Sequence, residues 1–185
     1  MLIGSSTSKI GDPTFRKEKR DILGTDFSLP TEEFCNNLKL IQSKISKLKI
    51  QYVYNSEWLN NKSLITFLND IGSHVKVNEL LKKESIQARL LNGLAFSEFS
   101  YQLLQAYDFY HLYINNNVAI QLGGSDQWGN IVSGIDLIYS KLKIEVFGLT
   151  IKLLTEENGG KMGKSSNNPI WLTGTDASAI NLYSV

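Results

Sequence analysis

The sequence predicts an α/β domain built on a parallel sheet. Short apolar runs alternate with amphipathic helical stretches. The run Val118–Leu122 reads as a continuous apolar strand interrupted only by Gln121. No repeat, low-complexity tract or linker divides the 185 residues, a length that suits one domain or slightly more.

Each element follows from its own pattern. Met1-Leu2-Ile3 is apolar and reads as the end of a strand, too short to be a whole one, so further sequence is expected upstream. Residues 5–20 form a Gly/Ser/Thr loop that passes into a basic stretch. Pro30, Glu32 and Glu33 mark a helix start, with acids at the positive end of the dipole. Phe34, Leu38, Ile41, Ile45 and Leu48 then lie on one helical face. Gln51–Asn55 alternates as a short strand, and 62–72 reads as a helix stopped at Gly72. One or two short helices occupy 78–92, ending at Gly93. Ser97 is placed to cap a helix from 98 to about 114. After the strand at 118–122 and the pair Gly123-Gly124, Asp126 opens a helix to about Lys141. Val146–Leu154 is a strand containing Gly148, and residues 155–169 are a polar loop. Trp171-Leu172 is a short strand, and a last helix starts at Asp176.

Composition narrows the function. Nineteen basic and 18 acidic side chains give a net charge of +1, which excludes a strongly basic nucleic-acid coat and an acidic tail protein. A lone cysteine, Cys35, excludes an internal disulfide framework. No run of about 18 apolar residues occurs, and the first residues lack the pattern of a secretory signal. His74 and His111 have no carboxylate or cysteine at metal-ligand spacing, so no protein-bound metal is expected.

Four segments carry candidate chemistry. Tyr101, Gln105 and Asp108 share one helix face. A phenol, an amide and a carboxylate in a row make either the wall of a pocket for a ligand amine or hydroxyl, or a solvated helix side. Gln121–Asn130 places two glycines and an acid at a strand-to-helix turn. That is a ligand crevice with Asp126 facing a ribose, or a tight turn with Asp126 as helix cap. It is not a dinucleotide fingerprint, since GxGxxG is absent. Lys161 and Lys164 lie in a glycine- and hydroxyl-rich loop that either wraps phosphate or is merely solvated. Gly11-Asp12-Pro13 is a turn whose acid either pairs with a ligand ammonium or does nothing further. The basic run Arg16, Lys17, Lys19 and Arg20 touches RNA phosphate or is solvated.

Together, Ile10–Thr14 (IGDPT), Leu104–Phe109 (LQAYDF), Leu122–Ile131 (LGGSDQWGNI) and Lys161–Ser165 (KMGKS) resemble the tyrosyl-tRNA synthetases of bacterial and organellar type. The order and spacing match over nearly the whole chain, and KMGKS is a variant of the KMSKS signature of class I aminoacyl-tRNA synthetases. The resemblance implies a partial Rossmann-like class I catalytic domain over residues 1–185, with a helical insertion at about 56–96. It implies that Asp12, Tyr101 and Gln105 hold the substrate α-ammonium, that Asp108 accepts from the substrate phenol, and that Gln127 sits near the substrate carboxyl group. Gln121 and Asn78 would support the pocket and Thr7 would line it. Gly124 and Asp126 would contact the adenosine ribose, and Lys161 and Lys164 would stabilise the leaving pyrophosphate. Tyr101 with Asp108 on one helix favours tyrosine over tryptophan.

The implied reaction joins L-tyrosine to ATP, carried with Mg2+, as tyrosyl-adenylate, then transfers it to tRNA(Tyr). A homodimer formed through the insertion, with Phe96 in the matching interface, and residence in cytoplasm or an organellar matrix are further expectations; no membrane is involved. The family's His-x-Gly-His block and a second substrate-binding tyrosine lie upstream of the residue matching Asp12, and its anticodon-binding region lies downstream; none occurs in these 185 residues. The chain is therefore expected to be the centre of a synthetase. The competing readings are a synthetase-derived RNA- or ligand-binding protein without catalysis and an unrelated nucleotide-binding α/β protein.

Overall fold

The computed structural model describes residues 1–12, 32, 35–39, 42–43, 49–91 and 93–153. The chain divides into two units, Met1–Ser28 with Gln51–Ile151, and Leu29–Ile50 with Lys152–Val185. In the second unit, residues 35–39 and 42–43 are helical, as the apolar spacing there predicts, and Cys35 is buried. The predicted strand at Trp171-Leu172 and the helix at Asp176 lie outside the described residues, as does the KMGKS loop.

The first unit opens with strand β1 (Leu2–Ile3), which pairs in parallel with β2 (Val53–Tyr54). Short helices α1 (Ser56–Leu59), α2 (Leu64–Asp70), α3 (Val77–Leu81) and α4 (Glu84–Leu90) follow. Two long helices, α5 (Phe96–Asn116) and α6 (Trp128–Leu142), flank β3 (Ile120–Gly124), and β4 (Phe147–Ile151) pairs with β3 in parallel. Parallel pairing is as predicted, in two separate two-stranded ladders among the described residues. One face of the β3–β4 ladder is open, with Ile120, Leu122, Phe147, Leu149 and Ile151 exposed.

Several boundaries differ from the sequence reading; β3, for one, runs Ile120–Gly124 and takes in both glycines expected to follow it. Helix α5 begins at Phe96 with Ala95 in the cap position, not at Ser97. The decisive group is Glu98, whose Oε2 accepts from the Ala95 backbone N–H at 3.2 Å. Both Glu98 oxygens also accept from the Arg89 guanidinium at 3.1 Å, in a pair that is almost wholly buried. A charged residue at the third helical position thus ties the helix start to α4, which a serine hydroxyl at 97 cannot do. Asp126 likewise lies in a 3-10 turn, Ser125–Gln127, and α6 proper starts at Trp128.

The core forms where α5 and α6 pack. Trp58, Phe67, Ile71, Ala106, Tyr107 and Leu137 make one cluster, and Phe109, Ile138 and Val146 a second. Glycine sets the spacing. A Cβ on Gly134 would stand 2.9 Å from Phe109 Cδ1, and one on Gly148 would stand 2.5 Å from Ile131 Cγ2. Gly123 is pressed the same way, with Gln127 Cβ at 3.0 Å and Ile131 Cδ1 at 3.2 Å from the place of its missing Cβ. Packing between strand and helix therefore accounts for the first glycine of the Gly-Gly pair. Outside the core, Asp70 accepts from Lys141 Nζ at 2.6 Å and Lys62 Nζ at 3.1 Å. These lysines also lie over the Tyr110 and Tyr107 rings.

Gly134→Ala is expected to push α5 and α6 apart and to cost about 1–3 kcal/mol. Urea unfolding of the two proteins, compared at equal slope, measures it.

Candidate functional site

Buried polar groups need partners, so a cluster of them in a small core marks where the fold has been bent to chemistry. Such a cluster lies between the turn after β1, the segment after β2 and the middle of α5. Asn55 is wholly buried. Its amide N–H groups donate to Thr7 Oγ1 at 3.0 Å and to Asp108 Oδ2 at 3.0 Å. Its oxygen accepts from the Ser6 backbone N–H at 2.8 Å. Trp58 Nε1 donates to the other Asp108 oxygen at 2.7 Å. Both oxygens of the carboxylate are thus held, and only 2% of the residue is exposed. Burial nevertheless dominates the two hydrogen bonds, and the Asp108 carboxyl is pushed up to about 6. His111 stacks on the Trp58 indole with centroids 4.3 Å apart, and burial lowers its imidazole pKa.

A second group lies at the turn Ile10–Asp12. Gly11 has φ +82°, which lets the chain reverse before Asp12. Asp12 Oδ2 accepts from Gln127 Nε2 at 2.9 Å and Asn130 Nδ2 at 3.1 Å, both from the start of α6. The Asn130 amide also donates to Gln127 Oε1 at 3.2 Å, which fixes the direction of both amides. Tyr101 joins the two groups. Burial pushes its phenol up to about 12, the charges of Asp12 and Asp108 add to the shift, and a hydrogen bond with Thr7 opposes it.

The fold therefore brings Thr7, Asp12, Tyr101, Asp108 and Gln127 near one another. Gln105 lies half-buried one turn beyond Tyr101 on α5, and among the described residues it makes no hydrogen bond. Gln121 is on β3 opposite Gly148, and its Oε1 is buried with no partner among the described residues. An orphaned acceptor of this kind suits a ligand donor. Gly124 and Asp126 sit at the C-terminal end of β3, the end of a parallel strand where ligands bind in open α/β sheets. Lys161 and Lys164 lie outside the described residues.

Asn78 lies elsewhere: it is exposed on the short helix α3 and shares no hydrogen bond with this cluster. The amide at the centre of the cluster is Asn55, just after the half-buried strand β2. Asn55, Trp58 and Asn130 were missed. Asn130 had a local signal, lying one helical turn after Gln127, but Asn55 and Trp58 meet Asp108 across separations of 53 and 50 residues.

The sequence family described as "tRNA synthetases class I (W and Y)" matches residues 1–184. The chain belongs to this family. Its similarity to curated members is high. The tyrosine–tRNA ligase of Mycoplasma mycoides is 45% identical over 186 residues, covering 98% of this chain and 44% of that protein. The tyrosine–tRNA ligase of Borreliella afzelii is 46% identical over 187 residues, covering 99% of this chain and 44% of that protein. The chain thus spans less than half the length of these curated relatives. Among solved structures, a C-terminally truncated mitochondrial tyrosyl-tRNA synthetase of Aspergillus nidulans superposes with TM-score 0.71 at 27% identity, covering 88% of this chain and 53% of that one. The structure thus has the fold of a class I synthetase catalytic domain. No helix among the described residues is long and apolar enough to cross a membrane.

The raised Asp108 pKa fixes the sign of a pH dependence. A carboxyl whose folded pKa exceeds its unfolded value of 3.8 favours the folded state below that value, and the contribution is lost as pH rises through about 6. Removing the group with Asp108→Asn should flatten the stability profile between about pH 4 and 7 by roughly 3 kcal/mol. Thermal melts of both proteins across that range, with the difference plotted against pH, read it directly.

Proposed function

We propose that this chain carries the tyrosine- and ATP-binding part of a tyrosine–tRNA ligase. The protein activates L-tyrosine with ATP to tyrosyl-adenylate and passes the tyrosyl group to tRNA(Tyr). What supports the reading most is the convergence of two carboxylates of different character around Tyr101. Asp12 is half-buried and held by amides, placed to take an ammonium. Asp108 is fully buried and held by N–H donors, placed to accept from a phenol.

A carboxylate has about four lone-pair sites, so Asp108 can accept a third donor beyond Asn55 and Trp58. Phenylalanine would leave that acceptor unpaired, which is costly, and this is the basis of discrimination. Tyr101 and Gln105 complete the ammonium site with Asp12, Gln127 faces the substrate carboxyl, and Thr7 and Gln121 line the pocket. Gly124 and Asp126 receive the ribose. The tyrosine carboxylate attacks the α-phosphorus in line, and ATP enters with its Mg2+. The protein contributes position and charge stabilisation, with Lys161 and Lys164 on the departing pyrophosphate. The helical segment at about 56–96, ending at the exposed Phe96, joins two copies as a homodimer. The site of action is the cytoplasm or an organellar matrix.

Tyrosine-dependent ATP–pyrophosphate exchange by the natural full-length protein tests the reading. Exchange with tyrosine and not with tryptophan is expected, and adenine-nucleotide binding indifferent to every amino acid would overturn it. In the same assay, Asp108→Asn should erode the preference for tyrosine over phenylalanine roughly 10–100-fold; an unchanged preference rules out the phenol contact. Lys161→Ala combined with Lys164→Ala should slow adenylate formation by about 10²-fold or more while leaving tyrosine affinity near its original value. Equilibrium dialysis with labelled tyrosine separates the two effects.

A further inference from the structure

A second cavity lies on another side of α5, bounded by α3 and the residues just before it, by Lys83 at the foot of α4, and by α5 and α6. It has a volume of about 240 Å³, which is room for about eight waters. Its walls include Leu80, Leu103, Ala106 and Leu137; Lys83, Gln102 and Ser133 lie on its polar side, and Lys76, Glu79 and Asp136 also line it. None of these belongs to the tyrosine and ATP groups described above.

Two donors in this cavity are unspent. Gln102 is 1% exposed, and its Nε2 is buried with no acceptor among the described residues. Its oxygen faces the Ser133 hydroxyl at 3.5 Å. Lys83 Nζ donates to the Gly129 carbonyl at 2.8 Å and to Ser133 Oγ. An ammonium has three N–H groups, so one remains. Among the described residues no carboxylate lies within ion-pair distance of Lys83. Asp136 acts on it only through its charge, and burial lowers its pKa. The half-buried cation and the orphaned amide N–H2 thus have no carboxylate within hydrogen-bond reach among the described residues, although Asp136 lines the same cavity.

We propose that this cavity is a binding site for a small organic carboxylate with an apolar body. The carboxylate accepts from Gln102 Nε2 and Lys83 Nζ, and the body lies against Leu80, Leu103, Ala106 and Leu137. A bare inorganic anion would satisfy the donors but leave the aliphatic walls unfilled. A neutral hydrocarbon would fill the walls but leave both donors unpaired. The site stands apart from the tyrosine pocket, so its occupancy does not depend on the ligase reading.

Reductive methylation of Lys83 in the natural full-length protein, read by peptide mass spectrometry, tests this with sodium benzoate as the probe. Benzoate at ten times its dissociation constant should slow modification of Lys83 about tenfold, with the exposed Lys49 and Lys82, which do not line the cavity, as unprotected internal references. Gln102→Met, close to isosteric, should weaken benzoate protection about tenfold or more. Protection should survive Tyr101→Phe, which alters only the other pocket. Three results would each overturn the proposal: no protection by benzoate, equal protection by inorganic phosphate, or protection undiminished in Gln102→Met. The first two need only the wild-type protein, so a variant that fails to fold leaves the proposal open to refutation.

Discussion

The burial of one carboxylate governs much of this structure. Asp108 lies in the middle of α5, where an apolar side chain would pack at no electrostatic cost. A charge there must be surrounded by donors or it raises its pKa, and here both happen. Asn55 and Trp58 supply the donors. Because Asn55 also grips Thr7 and the Ser6 backbone, the turn after β1 is held to the same point. Three segments distant in sequence are thus fixed together by the need to satisfy one group. Trp58 does so while filling the main apolar cluster, so packing and hydrogen bonding are not separable at this residue.

The helix pair α5–α6 is the second constraint. Gly134 lets Phe109 approach α6 closely, and Gly123 and Gly148 let Ile131 press onto the β3–β4 ladder. That closeness sets the distance between Tyr101 on α5 and the amides Gln127 and Asn130 at the head of α6. Asp12 is then held by α6 while its charge is felt at Tyr101 on α5. A loosened helix pair would separate the two carboxylate groups even with every site residue intact.

The same pair shapes the second cavity, where Gln102 Nε2 has no acceptor among the described residues and Lys83 uses two of its three N–H groups. In one place donors meet an internal carboxylate at hydrogen-bond distance; in the other the nearest acid acts on Lys83 only through its charge. The contrast follows from which residue stands opposite. Asn55 and Trp58 reach an acid on α5 directly, whereas Lys83 bonds to Ser133 and the Gly129 carbonyl, with Asp136 of the same lining beyond ion-pair distance.

Much was legible in the sequence because it rests on local rules. Helical periodicity set Tyr101, Gln105 and Asp108 on one face, turn chemistry marked Gly11-Asp12, and alternation of strand and helix implied parallel pairing. The motif block at 122–131 placed Gln127 and Asp126 at the end of a strand. Tertiary structure decided which amide joins the buried cluster, Asn55 and not Asn78. It also decided that Glu98 with Arg89, and not Ser97, starts α5, and that Gly123 serves helix packing. The reason is physical. A residue's period and propensity depend on its near neighbours, but the partner of a buried polar group is whatever the folded chain brings within about 3 Å. For Asp108 that partner came from more than fifty residues away.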